Sequence, residues 1–227
     1  MICIIPAKKN SRSLKNKNYL KINGKSLIEH SINHAIKSKQ ITSIIINSDD
    51  KNLNKLTHKY KNCKKNIFFY LRNKKLAQFN TPARKVYLDC IKNIIFKKKI
   101  SVDNFCVLLP TSPIRKISDV DNAIKNFYKK RANVLLSVVE NKPIEFLYRI
   151  NKNLKLLKIK SITNSIKNRQ FLKKTYNANG SIFVFNYSYL KKNNKYISNK
   201  TYGFVMKKKY SIDIDTIDDL QIAKKII

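Results

Sequence analysis

Short, uninterrupted apolar runs alternate with amphipathic segments along the first two thirds of the chain. The apolar runs cover residues 2–5, 43–46, 67–71, 105–109 and 134–139, and each has the length of a strand. Strands that are apolar at nearly every position are typical of a parallel sheet covered by helices on both faces. The pattern therefore predicts an α/β fold with a mostly parallel sheet.

Helices between these runs are predicted from their boundary signals. Ser26 and Glu29 have the spacing of a capping box, which predicts that a helix begins there. A further helix is expected after Pro82, with Val86 and Cys90 on its buried face. Residues 118–121, Ser-Asp-Val-Asp, are expected to cap the next helix.

The alternation stops between about residues 140 and 175, where only short Lys-rich segments occur. It resumes with an apolar run at residues 181–185 and ends in a helix after Thr216. We interpret residues 1–227 as one domain and the irregular segment as an insertion, a candidate dimerisation arm. Ligands of such a sheet bind at the C-terminal ends of its strands.

The chain is strongly basic. Lys and Arg number 49 against 13 Asp and Glu, a formal net charge of +36. Such a charge attracts polyanions, so a nucleic-acid or acidic-membrane binder is one interpretation. Because Lys is scattered along the whole chain and no Arg-aromatic platform occurs, compositional drift is the interpretation we favour. A basic surface also favours an anionic substrate such as a nucleoside triphosphate.

The compartment is predicted from absent signals. No apolar run approaches the ~18 residues that span a bilayer, and the first residues, MICIIPA, lack the architecture of a signal peptide. The four cysteines show no metal-type spacing and are expected to be reduced thiols. The sequence therefore predicts a cytoplasmic protein that neither spans a membrane nor binds a specific nucleic acid.

The first candidate site is the loop IPAKKNSRSLKNKN at residues 5–18. It places cationic side chains beside small polar residues after a strand, which suits a triphosphate. The glycine and lysine spacing of the P-loop is absent. A solvated basic loop explains the same composition, so these residues alone leave both interpretations open.

The second candidate site is the carboxylate pair Asp213 and Asp215. Two residues apart on a strand, they would point to the same face, and hard oxygen ligands suit Mg²⁺. The alternative is a helix N-terminus, where carboxylates need no metal. That alternative explains Asp218 and Asp219 well and Asp213 and Asp215 poorly, so we favour a metal at the first pair.

Six segments, in order along the chain, resemble the signature segments of the acylneuraminate cytidylyltransferase family. They are residues 5–18, 47–50 (NSDD), 72–77, 109–115 (LPTSPIR), 169–182 and 213–220 (DIDTIDDL). The chain differs from the family pattern at Phe79, where Asp is usual, and at Leu109, where Gln is usual. Lys9, Asn10 and Ser13 replace glycines of the first segment.

The resemblance implies a Rossmann-like sheet of the nucleotide-diphospho-sugar transferase type with a small dimerisation insertion. It implies transfer of CMP from CTP to the anomeric hydroxyl of a sialic-acid-like nonulosonic acid (neuraminic, legionaminic or pseudaminic type), with release of pyrophosphate. It also implies Mg²⁺ as cofactor, a homodimer, and a set of site residues. Lys17, Asp213 and Asp215 would be catalytic, with the two carboxylates holding the metal; Ala7, Lys8, Ser11, Arg12, Lys17, Asn18, Ser48, Arg72 and Thr81 would bind the nucleotide; Thr111, Ser112, Arg169, Gln170, Tyr176 and Asn179 would bind the sugar acid.

Three other functions remain open from the sequence. A cytidylyltransferase for 3-deoxy-manno-octulosonate is the nearest, although residues 15–18 (KNKN) and the Arg169–Gln170 segment differ from its usual pattern. A nucleic-acid-binding protein is suggested by charge alone. An inactive homologue is suggested by the replaced glycines, by Phe79 and by Leu109.

Overall fold

The computed structural model describes residues 1–11, 13–159 and 172–226. Its strands are β1 (Ile2–Ala7), β2 (Lys21–Ile22), β3 (Lys25–Ser26), β4 (Ser43–Ser48), β5 (Asn66–Leu71), β6 (Asn104–Leu108), β7 (Val134–Asn141), β8 (Tyr148–Ile150), β9 (Leu156–Lys158), β10 (Thr175–Asn186) and β11 (Thr201–Val205). Its helices are α1 (Leu27–Lys37), α2 (Lys55–Lys59), α3 (Ala83–Lys98), α4 (Ile117–Lys129), α5 (Tyr187–Asn193) and α6 (Ile217–Ile226).

A seven-stranded sheet, in the order β11-β7-β10-β6-β1-β4-β5, forms the centre of the molecule. Strand β10 runs antiparallel to both of its neighbours, and the remaining pairs are parallel. All six predicted apolar runs lie in strands of this sheet, so the predicted α/β fold with a mostly parallel sheet is confirmed.

Both faces of the sheet are buried, as continuous apolar strands require. In β1, Cys3 and Ile5 pack on one side with Ile28 of α1 and Phe127 of α4. Ile2 and Ile4 pack on the other side with side chains from α3 and α5. Burying one Leu or Ile side chain is worth about 1.5–3 kcal/mol, so these two layers supply most of the stabilisation of the fold.

The helix boundaries follow local signals. The backbone N–H and the hydroxyl of Ser26 both donate to Glu29 Oε2, at 2.8 and 2.6 Å, so the predicted capping pair is present at α1. Helix α3 begins directly after Pro82, as predicted. Helix α4 begins at Ile117, before the predicted cap at Ser118, because Asp119 accepts the backbone N–H of Lys116.

The segment predicted as an insertion grows from the long antiparallel pair β7 and β10. The two strands pair as far as Asn141 opposite Thr175, and the hairpin β8–β9 follows β7. Strand β11 at the sheet edge and helix α5 have no counterpart among the sequence-based predictions. Within the described residues, no helix is long and apolar enough to cross a membrane.

A third apolar cluster lies beside the sheet and fixes two segments of the candidate site. It contains Leu14 from the loop after β1 and Ile214 from the segment before α6. Leu220 and Ala223 of α6 complete this packing, and Ile214 is fully buried. The cluster therefore anchors residues near the start and near the end of the chain at the same place.

Candidate active site

The loops after four adjacent parallel strands lie together at the C-terminal ends of those strands, which we call the ligand edge of the sheet. They follow β5, β4, β1 and β6, and the first half of β10 reaches the same edge because it runs in the opposite direction. Ile182 of β10 pairs with Leu108, the last residue of β6, so residues 175–180 extend beyond the end of that strand. Ligands of open α/β sheets bind at this ligand edge, beyond the C-terminal ends of the parallel strands.

The basic loop after β1 is tied down at several points. Asn18 Nδ2 donates to the carbonyl of Lys8 at 2.8 Å. The backbone N–H of Lys9 donates to Asp49 Oδ1 at 2.9 Å, which joins this loop to the end of β4. The Ser11 hydroxyl lies 3.4 Å from that of Ser13. These hydrogen bonds fix the described residues at both ends of the loop, Lys8, Lys9 and Asn18.

Lys17, near the start of the chain, forms an ion pair with Asp215, near its end. Its Nζ lies 2.7 Å from Asp215 Oδ1, although 198 positions separate the two residues. The Lys17 side chain is 8% exposed and that of Asp215 is 64% exposed. The pair therefore exposes its carboxylate and keeps its ammonium largely buried.

Asp213 and Asp215 do not lie on a strand, so that part of the sequence prediction is wrong. Residues 211–215 have no regular secondary structure. The two side chains are instead positioned by Ile214, which is buried in the third apolar cluster and donates its N–H to the Thr111 carbonyl at 2.8 Å. Anchoring the residue between them orients both carboxylates without a sheet ladder.

Asp213 packs against Gly180 of β10. A Cβ at Gly180, whose φ is +69°, would lie 3.4 Å from Asp213 Oδ2 and 3.5 Å from Leu109 Cδ1. The positive φ favours glycine here, whereas both distances are ordinary van der Waals contacts that a Cβ could make. The Asp213 carboxylate therefore lies beside Gly180 of β10.

The surroundings of Asp213 suit a cation. Burial raises the pKa of its carboxyl; the Thr111 side chain opposes that rise, and the like charge of Asp215 adds to it. Asp213 Oδ1 is buried without a hydrogen-bond donor among the described residues. Among the residues that the structure describes, no group of three or more His, Cys, Asp or Glu side chains could hold a metal ion without other ligands. The residues present thus fit an ion held by one or two carboxylates together with substrate phosphates, as Mg²⁺ is.

Arg115 is a site residue that the sequence analysis did not select. It is 1% exposed; its Nε donates to the Ser112 carbonyl at 2.8 Å, and its Nη2 donates to the Leu109 carbonyl. Burial lowers the pKa of its guanidinium to about 10, partly opposed by Cys3 and Asp213. Its position in the LPTSPIR segment could have indicated this role, because an Arg that follows an apolar strand is expected to be buried and to need hydrogen-bond acceptors.

The predicted nucleotide-binding residues outside the loop lie at strand ends. Ala7 and Ser48 are buried and pair in register at the ends of β1 and β4. The Ser48 hydroxyl accepts the N–H of Asp50 at 2.9 Å. Arg72 is buried, donating through Nε to Asn47 Oδ1 at 2.7 Å, and Thr81 lies just before α3 with its hydroxyl 3.4 Å from a loop carbonyl. Ser48 and Arg72 thus support the loop ends in this structure.

The predicted sugar-acid residues fall into two groups. Thr111 and Ser112 lie after β6, and the Ser112 hydroxyl is buried without a partner among the described residues. Asn179 is buried; its Oδ1 accepts from the Ser137 hydroxyl at 2.5 Å, and its Nδ2 donates to Ser211 Oγ at 2.9 Å. Tyr176 is 46% exposed, opposite Glu140 of β7. Thr111 lies beside Asp213, and Asn179 directly precedes Gly180, which packs against Asp213. Tyr176 lies farther along β10.

Three predicted residues, Arg12, Arg169 and Gln170, lie outside the described residues. Their assignments stay predictions.

Residues 2–217 match the sequence model of a family described as Cytidylyltransferase. The chain belongs to the cytidylyltransferase family. It is 27% identical over 228 residues to the post-translational flagellin modification protein B of Campylobacter coli, a match that spans 100% of this chain and 94% of the relative. It is 25% identical over 224 residues to the pseudaminic acid cytidylyltransferase of Campylobacter jejuni, spanning 98% of this chain and 94% of the relative.

Two further matches extend this relationship. The N-acylneuraminate cytidylyltransferase of Escherichia coli is 26% identical over 232 residues; the match spans 98% of this cytidylyltransferase and 51% of the relative. The structure of CMP:2-keto-3-deoxy-manno-octonic acid synthetase complexed with CTP superposes with a TM-score of 0.69, covering 99% and 97% of the two chains. At 13% identity, this last likeness shows the fold alone.

Proposed function

We propose that this cytidylyltransferase transfers CMP from CTP to the anomeric hydroxyl of a nonulosonic acid and releases pyrophosphate. The observation that carries the proposal is the 2.7 Å contact between Lys17 and Asp215. It joins the basic loop after β1 to the carboxylate pair before α6, at the edge of the sheet where ligands bind. Relatives with matching length include a pseudaminic acid cytidylyltransferase, which supports the substrate class.

The basic loop would neutralise the triphosphate. Catalysis of phosphoryl and nucleotidyl transfer consists mostly of positioning and of charge neutralisation, with little covalent work for the protein. The family resemblance assigns this task to Lys17, whose nearly buried ammonium pairs with Asp215, so that a phosphate would share it with that carboxylate. Lys8 belongs to the same loop, and its backbone is fixed by Asn18. Arg12, also in this loop, is assigned the same task by the family resemblance.

Asp213 and Asp215 would hold Mg²⁺. When bound, the ion would neutralise phosphate charge and polarise the phosphoryl group. The buried, unpartnered Oδ1 of Asp213 supports the assignment, because a cation is what satisfies such an atom. Lys17 would keep Asp215 oriented through their contact, and Ile214 would keep both carboxylates in place.

The sugar acid would bind beside this pair. Thr111 contacts the Asp213 side chain, Ser112 follows Thr111, and Asn179 precedes Gly180, which packs against Asp213. The relatives' names favour a nine-carbon acid over an eight-carbon one. Arg169 and Gln170 are proposed to hold its carboxylate, because a planar guanidinium binds a carboxylate through two parallel hydrogen bonds. Bidentate binding would orient the neighbouring anomeric hydroxyl toward the α-phosphorus.

Two finer predictions accompany the proposal. A homodimer is supported by the hairpin β8–β9, where Ile150, Leu154 and Leu156 are 61–77% exposed, an unusual exposure for aliphatic side chains in one short hairpin. We propose that this arm packs against a second copy. Leu154→Lys should then lower the mass measured by light scattering from two chains to one, whereas Lys152→Leu, a change of opposite chemistry on the same arm, should leave two. The cytoplasmic location stays a prediction.

The function is tested with CTP, Mg²⁺ and a panel of acids, namely N-acetylneuraminic, legionaminic, pseudaminic and 3-deoxy-manno-octulosonic acid. Pyrophosphate should be released only when CTP and a nonulosonic acid are both present, together with a product of the mass of the CMP conjugate. Turnover with the octulosonate alone would contradict the acid class. Absence of pyrophosphate release with every acid would contradict the activity and favour an inactive homologue.

A further inference from the structure

The side chain of Phe79, in the loop after β5, contacts the side chain of Lys8, in the basic loop after β1. The loop after β5 contains Phe79, whose side chain is 54% exposed, and the loop after β1 contains Lys8. Lys8 Nζ lies 3.8 Å from the centroid of the Phe79 ring. Because β4 lies between β1 and β5, this contact passes over the end of β4. Two loops that belong to different strands are therefore joined above the edge where the nucleotide would bind.

The contact fixes the ammonium end of the Lys8 side chain, whose backbone end is already held by a hydrogen bond. The carbonyl of Lys8 accepts a hydrogen bond from Asn18 Nδ2 at 2.8 Å, which holds the backbone. A Lys side chain loses rotamer entropy when it is ordered. The attraction between an ammonium and an aromatic face opposes that loss. The ring thus offsets part of the ordering cost before any nucleotide binds.

An aromatic ring also differs from a carboxylate in what it leaves for the ligand. It attracts the ammonium through its quadrupole and does not cancel the charge. A carboxylate at the same place would form an ion pair, and a phosphate would have to compete with it. A ring is therefore the better support for a cation whose task is to meet an anion.

We propose that Phe79 is a positioning residue that pre-orders the Lys8 ammonium for the triphosphate. The inference rests on the proposed function, because it assumes that CTP binds at this edge. It assigns Phe79, which the family resemblance marks only as a departure, a part in nucleotide affinity. The effect should appear in the binding of CTP and leave the chemical step and the sugar acid nearly unchanged.

Substitution of Phe79 tests the proposal. Phe79→Leu removes the ring and keeps an apolar side chain, so the KM and Kd for CTP should rise about 2–5-fold, as expected from the loss of a contact of this strength. The kcat and the KM for the sugar acid should stay within error. Phe79→Tyr keeps the ring and should restore the affinity. Phe96→Leu, at an 83% exposed phenylalanine of α3, is the matched control and should change nothing.

A double-mutant cycle separates positioning of Lys8 from a general structural effect. In a Lys8→Met background, Phe79→Leu should cost no further CTP affinity, because the partner of the ring is already absent. An equal loss in both backgrounds would overturn the proposal, since the ring would then act on CTP or on the fold without Lys8. Unchanged CTP affinity of Phe79→Leu in the otherwise native chain would overturn it as well.

The sequence offers a spectroscopic readout, because the chain has no Trp. Phe79→Trp introduces one tryptophan at the contact, and CTP should change its emission in a saturable manner as a phosphate approaches the ammonium that is held over the ring. The same titration in the Lys8→Met background should give a smaller change. An emission change that does not depend on Lys8 would contradict the inference and leave the proposed function intact. Failure of the unmodified chain to bind CTP would overturn both.

Discussion

Replacing the buried Arg115 with Met should destabilise the protein and disturb the active site together. The side chain donates to the carbonyls of Leu109 and Ser112. Met would remove the donor of the Ser112 carbonyl, and the Leu109 carbonyl would keep only the Ser31 hydroxyl and the backbone N–H of Ser112. Hydrogen bonds from a charged donor contribute about 1.5–3 kcal/mol each, so the gross loss is about 3–6 kcal/mol.

Part of that loss is recovered, because the guanidinium no longer has to be desolvated. Burial lowers the pKa of Arg115 from 12.5 to about 10, which corresponds to about 3 kcal/mol against the charged form. The expected net loss in the free energy of unfolding is therefore about 0–3 kcal/mol, with a central value of about 1.5 kcal/mol. For a chain of 227 residues the central value lowers Tm by about 3–6 °C.

Urea denaturation and thermal unfolding of Arg115→Met measure this loss, with Lys125→Met at an exposed position of α4 as control. Turnover should fall as well, because the loop held by Arg115 carries the Thr111 carbonyl that positions Ile214 between the two carboxylates. Arg115→Lys keeps the charge, loses the planar fork, and should be intermediate. A Tm equal to that of the unmodified chain would refute this reasoning.

Four further predictions concern the metal, pH, substrate and charge. Asp215→Asn should lower kcat at least ~100-fold, about 2.7 kcal/mol, whereas Asp218→Asn in the first turn of α6 should not; full activity in excess chelator would refute the metal assignment. Burial would raise the pKa of Glu29, but hydrogen bonds from Lys59 and Ser26 outweigh burial and lower the pKa to about 2. The stabilisation by ionised Glu29 is complete above about pH 5 and is lost toward pH 2. The difference in unfolding free energy between the native chain and Glu29→Gln should therefore shrink on acidification, and a constant difference would contradict this prediction. Arg169→Lys should raise the KM for the sugar acid and leave that for CTP unchanged, as steady-state kinetics would show; a defect confined to CTP would refute the role. DNA should bind with a Kd near ~10⁻⁴–10⁻⁶ M at physiological salt and without sequence preference; a nanomolar specific site in a binding assay would make nucleic acid the partner.

The sheet could be predicted because its signal is local. Each buried strand is a continuous apolar run, and Ser26 with Glu29 marks a helix start within four residues. Strand β11 escaped prediction because its sequence, TYGFV, mixes polar, glycine and apolar positions; Val205 is 58% exposed. The other edge strand, β5, could be predicted because residues 67–71 form a continuous apolar run.

The sequence could predict which segments form the candidate site, but it could not predict the distances between their side chains. The resemblance selected Lys17 and Asp215, but only the fold brings them to 2.7 Å. The alternation rule failed at Asp213 because the backbone there is positioned by a hydrogen bond to the loop after β6 and not by a neighbouring strand. The contact between Lys8 and Phe79 joins side chains from non-adjacent strands, and no sequence spacing encodes it.

The most direct test of the account is to follow the oxygen atom that forms the new bond. A nonulosonic acid labelled with ¹⁸O at the anomeric hydroxyl is incubated with CTP, Mg²⁺ and the enzyme, and the products are weighed by mass spectrometry. Attack of that hydroxyl on the α-phosphorus predicts that all of the label stays in the CMP conjugate, bridging carbon and phosphorus, and that pyrophosphate carries none. A conjugate without the label, or no conjugate with any nonulosonic acid, would contradict the proposed reaction.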